Sequence, residues 1–134
     1  GLAADAQSVA APTEEGGAAA MTALLARHPD LTTVLCTTDR MAIGAMSVLR
    51  AAGRQIGSDV AVMGHDNISA SPYTDPPLAT MELPLADVGR GLAEKAIALI
   101  SGANPQDLCE VRPVSLIWRE SAGDAAHINN INSG

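Results

Sequence analysis

Short apolar runs of strand length alternate with longer segments of helical periodicity, and this alternation constrains the fold more than any other feature of the chain. The strand-like runs are residues 31–38 (LTTVLCTT), 60–64 (VAVMG), 78–83 (LATMEL) and 111–120 (VRPVSLIWRE). Strand and helix alternating at these lengths require right-handed crossovers, which give a parallel sheet with helices on both faces. The sequence therefore predicts an α/β fold. It also predicts that run 31–38 is buried on both faces and that Pro113 places the last strand at an edge.

Capping residues and apolar spacing predict three helices. Thr13 is expected to cap the first, which Pro29 stops. Asp39 is expected to cap a second helix that runs to Ala52 and ends at Gly53. The third occupies residues 84–102, with proline at its start and glycine at its end.

Composition excludes several classes of protein. Of 134 residues, 47% are hydrophobic and 17% are charged, with a formal net charge of −7. This balance predicts one globular domain, and no run approaches the roughly 18 apolar residues of a membrane span. The negative charge disfavours binding of nucleic acid by this part of the protein. Cys36 and Cys109 lack a metal-like spacing and are predicted to be reduced thiols, and the absence of a basic leader favours a cytoplasmic protein.

Polar residues follow two consecutive strand-like runs. Thr37, Thr38 and Asp39 stand at the end of the first run, and His65, Asp66 and Asn67 come after the second. Ligands of open α/β sheets bind outside the carboxyl ends of the strands, where neighbouring loops converge. The sequence therefore predicts a small-molecule site, with Asp66 as the main hydrogen-bond acceptor and Asp39 as a helix cap.

Chemistry other than binding has weaker support in the sequence. A metal pair of His65 and Asp66 is disfavoured, because neighbouring residues at a strand end are expected to point apart and no third ligand has suitable spacing. Ser69 and Ser71 lie outside any G-x-S-x-G turn, so no catalytic nucleophile, metal or cofactor is predicted. An α/β enzyme that uses Asp66 and His65 as an acid–base pair stays open, because fold alone does not fix function.

Four motifs together resemble the lactose-repressor family of bacterial transcription regulators. They are TDRMAIG from Thr38, GHDN from Gly64, PPLAT from Pro76 and LIWRES from Leu116. The family patterns are N-D-x-x-A-x-G, G-[FY]-D-[DN], P-P-L-T-T and L-I-x-R-x-[ST], and the resemblance extends over residues 13–121.

The resemblance implies a domain organisation. Members of this family have two α/β subdomains that close on a small molecule, as in periplasmic sugar-binding proteins, and an N-terminal helix-turn-helix that binds operator DNA. Residues 1–121 would then be the C-terminal subdomain of a periplasmic-binding-protein-like fold, and residues 122–134 a flexible tail. Helix 84–102 would pack on the first subdomain, which this sequence lacks, so the chain is expected to self-associate through that helix face or to swap elements.

The resemblance also implies effector contacts. The matching positions are Asp66, Thr38, His65, Leu83, Leu85 and Ala11. Thr38 stands where the family usually has Asn, and His65 where it has Phe or Tyr. Because Tyr73 and Trp118 are the chain's aromatic residues, it supplies little surface for stacking on a sugar.

A dimer of such regulators is implied as well, with residues 39–52 and 69–77 near its interface. The apolar stripe of the second helix is predicted to be buried either in the core or in that interface: Met41, Ala42, Ala45 and Met46. The predicted function is therefore sensing of a sugar-like effector by a homodimeric cytoplasmic regulator that is not an enzyme. A periplasmic sugar-binding transport receptor is the alternative.

Overall fold

The computed structural model describes residues 6–124, which form an open α/β sheet with three helices. In chain order the elements are α1 (Glu14–Arg27), β1 (Thr33–Leu35), α2 (Asp39–Ala51), β2 (Ala61–His65), β3 (Ala79–Glu82), α3 (Leu85–Ile100) and β4 (Ser115–Ile117). Short 3-10 helices occupy Ser71–Tyr73, Pro105–Leu108 and Glu120–Ala122. Most of the predicted tail, residues 125–134, lies outside the described residues.

The sheet has the order β1-β2-β3-β4 and is mostly parallel. β1, β2 and β3 run in the same direction, whereas β4 runs antiparallel to β3 and forms an edge of the described sheet. The α/β fold with a largely parallel sheet is thus confirmed, and the last strand is an antiparallel addition that Pro113 precedes. The carboxyl ends of the three parallel strands therefore lie side by side at the same end of the sheet.

Helix ends follow the predicted signals, with one correction. The Thr13 hydroxyl accepts a hydrogen bond from the Gly16 amide at 3.1 Å, as expected of a cap. Gly53 follows α2 in the left-handed region with φ of +74°. The prediction that Asp39 caps α2 is wrong, because the Thr38 hydroxyl accepts from the Met41 amide at 3.2 Å and Asp39 is the first helical residue.

The main core lies between α1, α2 and one face of the sheet. Its buried members come from both helices, from β1 and β2, and from the residues just before β2 and β3: Met21, Val34, Ala42, Ala45, Met46, Leu49, Val60, Val62 and Leu78. Met41 is also buried, at 9% exposure. The apolar stripe of α2 that could have formed an interface is therefore already covered within the chain, which favours its role in the core.

Burial of β1 differs from the prediction that both of its faces are buried. Val34 is buried, whereas Thr33 and Leu35 on either side of it are exposed. α1 and α2 both pack on the Val34 face, since Met21 and Ala45 join Val34 in one cluster. Within the described residues, the opposite face of β1 is therefore open.

Two glycines allow the backbones of α1 and α2 to touch. A Cβ atom on Gly17 would lie 2.1 Å from the carbonyl oxygen of Met41, and one on Gly44 would lie 1.9 Å from that of Glu14. Arg40 adds an exposed ion pair to Glu14 at 2.7 Å, and its hydrogen bonds lower the pKa of that carboxyl. Close backbone contact, more than this surface pair, fixes the angle between the helices.

α3 lies largely in solvent. Gly91 is its buried residue and lies against the Arg112 guanidinium, which forms a 2.9 Å ion pair with Glu110. Several of its apolar side chains are exposed: Leu85, Leu92, Ile97, Leu99 and Ile100. None of the helices formed by residues 6–124 has the length and continuous apolar character that a membrane span needs.

Substituting alanine for Gly44 is expected to lower the free energy of unfolding by about 1–3 kcal/mol, because the new methyl would overlap a backbone carbonyl that cannot rotate away. The matched control is Gly89→Ala on α3, where no atom lies within 4 Å of the new Cβ and alanine favours the helix. Urea denaturation followed by circular dichroism measures both. Equal stability of the two variants would contradict close contact of α1 and α2.

Candidate functional site

The carboxyl ends of the three parallel strands surround a hollow of about 300 Å³. Six residues line it: Leu35, Cys36, Thr37, Gly64, His65 and Met81. The register pairs Leu35 with Met63 and His65 with Met81, so the ends of β1, β2 and β3 are adjacent. The prediction that two polar clusters follow neighbouring strands of the same direction is confirmed. The hollow is called the strand-end hollow below.

His65 lines the strand-end hollow and contacts Asp66, the next residue in the chain. His65 Nδ1 is 3.0 Å from Asp66 Oδ1, and the two side chains are 33% and 42% exposed. The expectation that they point apart is wrong. It assumed extended backbone at both positions, whereas Asp66 has φ of +115°.

The contact between the two side chains fixes the hydrogen-bonding character of the imidazole. An ionised carboxylate only accepts hydrogen bonds, so Nδ1 of His65 carries the proton that it shares with Asp66. In the neutral imidazole, Nε2 is then an acceptor. The pair offers a ligand acceptor atoms on both side chains, which suits a ligand with several hydroxyl donors.

The Thr38 hydroxyl caps α2. Its oxygen accepts the hydrogen bond of the Met41 amide, but accepting does not consume the hydroxyl proton. Thr37, one residue earlier, lines the strand-end hollow and is exposed. The Thr37 hydroxyl lies 3.5 Å from the Met41 sulfur, which is a weak acceptor, so the end of β1 contributes one hydroxyl-bearing wall residue beside His65.

Asp39 is completely buried and cannot reach a ligand. Its carboxylate accepts three hydrogen bonds, from the Ile68 amide at 3.0 Å, Ser71 Oγ at 2.5 Å and Thr80 Oγ1 at 2.6 Å. These donors belong to β3 and to the loop that follows β2. Instead of capping α2, Asp39 joins the helix to both.

Asn67 continues the polar chain behind the strand-end hollow. Its side-chain oxygen accepts from Arg119 at 2.8 Å, and its side-chain nitrogen donates to Glu82 at 2.7 Å. Arg119 also donates to the Leu78 carbonyl at 2.6 Å. Asn67 has φ of +51°, so both residues that follow β2 occupy the left-handed region. Such strained residues persist where surrounding contacts hold them.

Of the six residues that the family resemblance implied, His65 lines the strand-end hollow, and Asp66 and Thr38 are the chain neighbours of its lining residues His65 and Thr37. The other three lie elsewhere. Leu83 lines a second hollow between α3 and residues 110–112. Leu85 is exposed in the first turn of α3, and Ala11 is exposed before α1, where its carbonyl accepts the Thr13 amide at 2.8 Å. Within residues 6–124, none of the three lines the strand-end hollow.

Four wall residues of the strand-end hollow were not predicted from the sequence: Leu35, Cys36, Gly64 and Met81. Burial first, and the negative charge of Asp39 second, raise the pKa of the Cys36 thiol to about 11. The thiol is therefore neutral and poorly nucleophilic near pH 7. The alternation of strand side chains could have identified Met81, because it pairs with His65.

A larger and shallower depression of about 800 Å³ surrounds Trp118. It is lined by Ile56 and Gly57, which precede β2, and by Pro77, which precedes β3. It lies at the amino ends of the parallel strands, away from the polar clusters. No cluster of three or more metal-ligating side chains occurs among the described residues.

Comparison with known proteins identifies the family. Residues 2–122 match the periplasmic binding protein-like domain. The HTH-type transcriptional regulator CelR of Thermobifida fusca is 36% identical over 109 residues, which are 81% of this chain and 32% of the regulator. The chain thus spans about a third of the length of the curated relatives that it matches.

Solved structures give the same result. A LacI family transcriptional regulator from Arthrobacter sp. FB24, in complex with lactose, has a TM-score of 0.76 and 35% identity, covering 85% of this chain and 43% of that one. A complex of the regulator CelR with cellobiose has a TM-score of 0.72 and 34% identity, covering 82% and 34%. The chain therefore belongs to the periplasmic-binding-protein-like domain family and is homologous to part of the effector domain of the lactose-repressor (LacI) family of transcriptional regulators.

Proposed function

We propose that this chain is the effector-binding part of a cytoplasmic bacterial transcriptional regulator, and that its ligand is a sugar or a related polyol. The observation that supports this most is the strand-end hollow, which His65 lines together with Thr37 at the end of β1, and the contact of His65 with the adjoining Asp66 carboxylate. The relatives with sugar complexes support the ligand class.

The chemistry of the strand-end hollow fits a sugar. Asp66 would accept hydrogen bonds from ligand hydroxyls, and each bond to a charged group contributes about 1.5–3 kcal/mol. Leu35 and Met81 would contact the C–H groups of the ring, since both line the hollow. No catalytic role is proposed for His65 and Asp66, because their contact serves to orient acceptors for binding.

The strand-end hollow is one wall of the proposed pocket. We propose that the first effector subdomain supplies the other wall and covers the exposed apolar side chains of α3, among them Ile100 at 88% exposure. The fraction of the relatives that this chain spans leaves ample length for that subdomain and for a helix-turn-helix segment. Leu83 and Leu85, which precede and begin α3, would then lie close to the ligand only after closure.

Sensing follows from a difference in affinity. If the sugar binds one closure state of the two subdomains more tightly than the other, binding shifts the population towards that state. In a homodimer this shift would change the spacing of two DNA-binding segments relative to operator half-sites. The coupling free energy cannot exceed that difference in affinity.

Replacing Asp66 with asparagine is expected to weaken sugar binding about ten-fold or more, because the change replaces a charged acceptor but tolerates positive φ better than alanine does. Titration calorimetry with lactose and with cellobiose on the full-length gene product measures this. The control is Asp30→Asn, which alters an exposed carboxylate before β1, at the amino ends of the parallel strands. Affinity that responds equally to both changes would refute the assignment of Asp66.

We also propose that the regulator dimerises through the loop that contains Tyr73. This tyrosine is 87% exposed in the described chain, and exposed tyrosines often become binding hot spots when a partner covers them. Tyr73→Ala is expected to raise the dimer dissociation constant of the full-length gene product by about ten-fold or more. Analytical ultracentrifugation measures this, with Val9→Ala as the control for loss of an equally exposed apolar side chain. An unchanged constant for Tyr73→Ala would place the interface elsewhere.

A further inference from the structure

Asp39 is a buried carboxylate that the proposed binding chemistry does not use. It has 0% exposure, and all three donors that it accepts from are uncharged. No ion pair of Asp39 is present among the described residues. Burying a charge costs free energy unless its hydrogen bonds are satisfied. The three hydrogen bonds that the Asp39 carboxylate accepts must therefore offset the cost of burying it.

We call residues 66–71, which follow β2, the effector loop. Two of the three groups that donate to Asp39 lie in this loop, and the third lies beside it in β3. The Ile68 amide and the Ser71 hydroxyl lie in this loop, and both donate to Oδ2. Thr80, in β3, donates to Oδ1 and accepts from the Asn67 amide at 3.3 Å. Asp39 therefore restrains the chain directly after Asp66 through two direct bonds and one relayed bond.

The backbone of this loop needs such restraint. Asp66 and Asn67 both have positive φ, a conformation that is unfavourable for a non-glycine residue unless its surroundings hold it. Relaxation of these two residues to ordinary φ would turn the Asp66 side chain away from His65. The orientation of the Asp66 carboxylate, the proposed ligand acceptor, thus depends on hydrogen bonds to Asp39 in α2.

The glycine before His65 supports the same conclusion. A Cβ atom on Gly64 would lie 2.1 Å from Asp39 Oδ1, so the carboxylate packs directly on the backbone of β2. Gly64 does not have positive φ, so its lack of a side chain serves this close contact and not an unusual backbone conformation. The carboxylate is thereby fixed between β2, β3 and the effector loop.

We propose that Asp39 is a positioning residue of the effector site: its carboxylate, through Ile68, Ser71 and Thr80, holds Asp66 in the orientation that binds the sugar. The proposal rests on the proposed function for its biological meaning, and on the hydrogen-bond geometry for its structural content.

The first test needs no ligand. Amide hydrogen exchange of Asn67 and Ile68, measured by NMR on the chain of residues 1–134, is expected to accelerate about ten-fold or more in Asp39→Asn and in Thr80→Val. Asparagine replaces one of the two acceptor oxygens of Asp39 with a donor, so it cannot accept from all three of its partners, and valine removes the oxygen that accepts from the Asn67 amide. Thr80→Ser keeps the hydroxyl and is expected to exchange as the wild type does. The Val62 amide, in the core strand β2, serves as the reference for global unfolding.

The second test asks whether Asp39 acts through Asp66. Lactose and cellobiose affinities of the full-length gene product are measured for Asp39→Asn, Asp66→Asn and the double variant. A positioning role predicts a loss of about ten-fold or more for each single change, and little further loss in the double variant. Independent, multiplicative losses would overturn the proposal, as would loop exchange that is unchanged in Asp39→Asn.

Failure of the two proposals would look different. If the wild type binds neither these sugars nor related polyols, the proposed function is wrong, while the exchange measurement still decides whether Asp39 restrains the loop. If Asp39→Asn does not fold, the pair Thr80→Val and Thr80→Ser carries both tests. Equal exchange and equal affinity of that pair would overturn the positioning role.

Discussion

Parallel pairing of β1, β2 and β3 is the constraint on which the rest of the structure depends. In a parallel ladder the carboxyl ends of all strands face the same way, so the residues that follow each strand meet at one edge. The pairing of His65 with Met81 sets the register of β2 and β3, and so sets which residues stand at their carboxyl ends. A slip of one residue in this register would exchange the buried and open faces of β2, because side chains alternate along a strand. Register thus determines which side chains line the strand-end hollow.

Much of the fold was predictable because its signals are local. Thr13 caps α1, and Gly53 follows α2 with positive φ, as the sequence indicated. The assignment at the start of α2 was not predictable in the same way, since Thr38 and Asp39 are both good capping residues. Tertiary partners decided it: Ser71 and Thr80, which are 32 and 41 positions away in sequence, take the Asp39 carboxylate and leave the cap to Thr38.

The site was predictable in its location but not in its details. Consecutive strand ends could be found from the sequence, and they placed His65 and Asp66 at the carboxyl end of β2, where the structure has the strand-end hollow. Their mutual contact depends on φ of +115° at Asp66, which no local residue pattern specified. Leu85 could not be placed from the sequence, because it lies exposed in the first turn of α3 and, among the described residues, does not line the strand-end hollow.

The anchoring of the effector loop has a consequence for how sensing would operate. Arg119 and Glu82 hold Asn67 from segments next to β4 and at the end of β3, while Asp39 holds Ile68 from α2. A loop fixed from several sides loses little conformational entropy when a ligand binds, so more of the contact energy is available for affinity. Such a loop also changes its conformation little when the ligand binds. Under the proposed function, the movement that couples sugar binding to DNA binding would therefore occur between this rigid wall and the proposed second subdomain. The connections that leave Glu82 and enter β4 are where that movement would be absorbed.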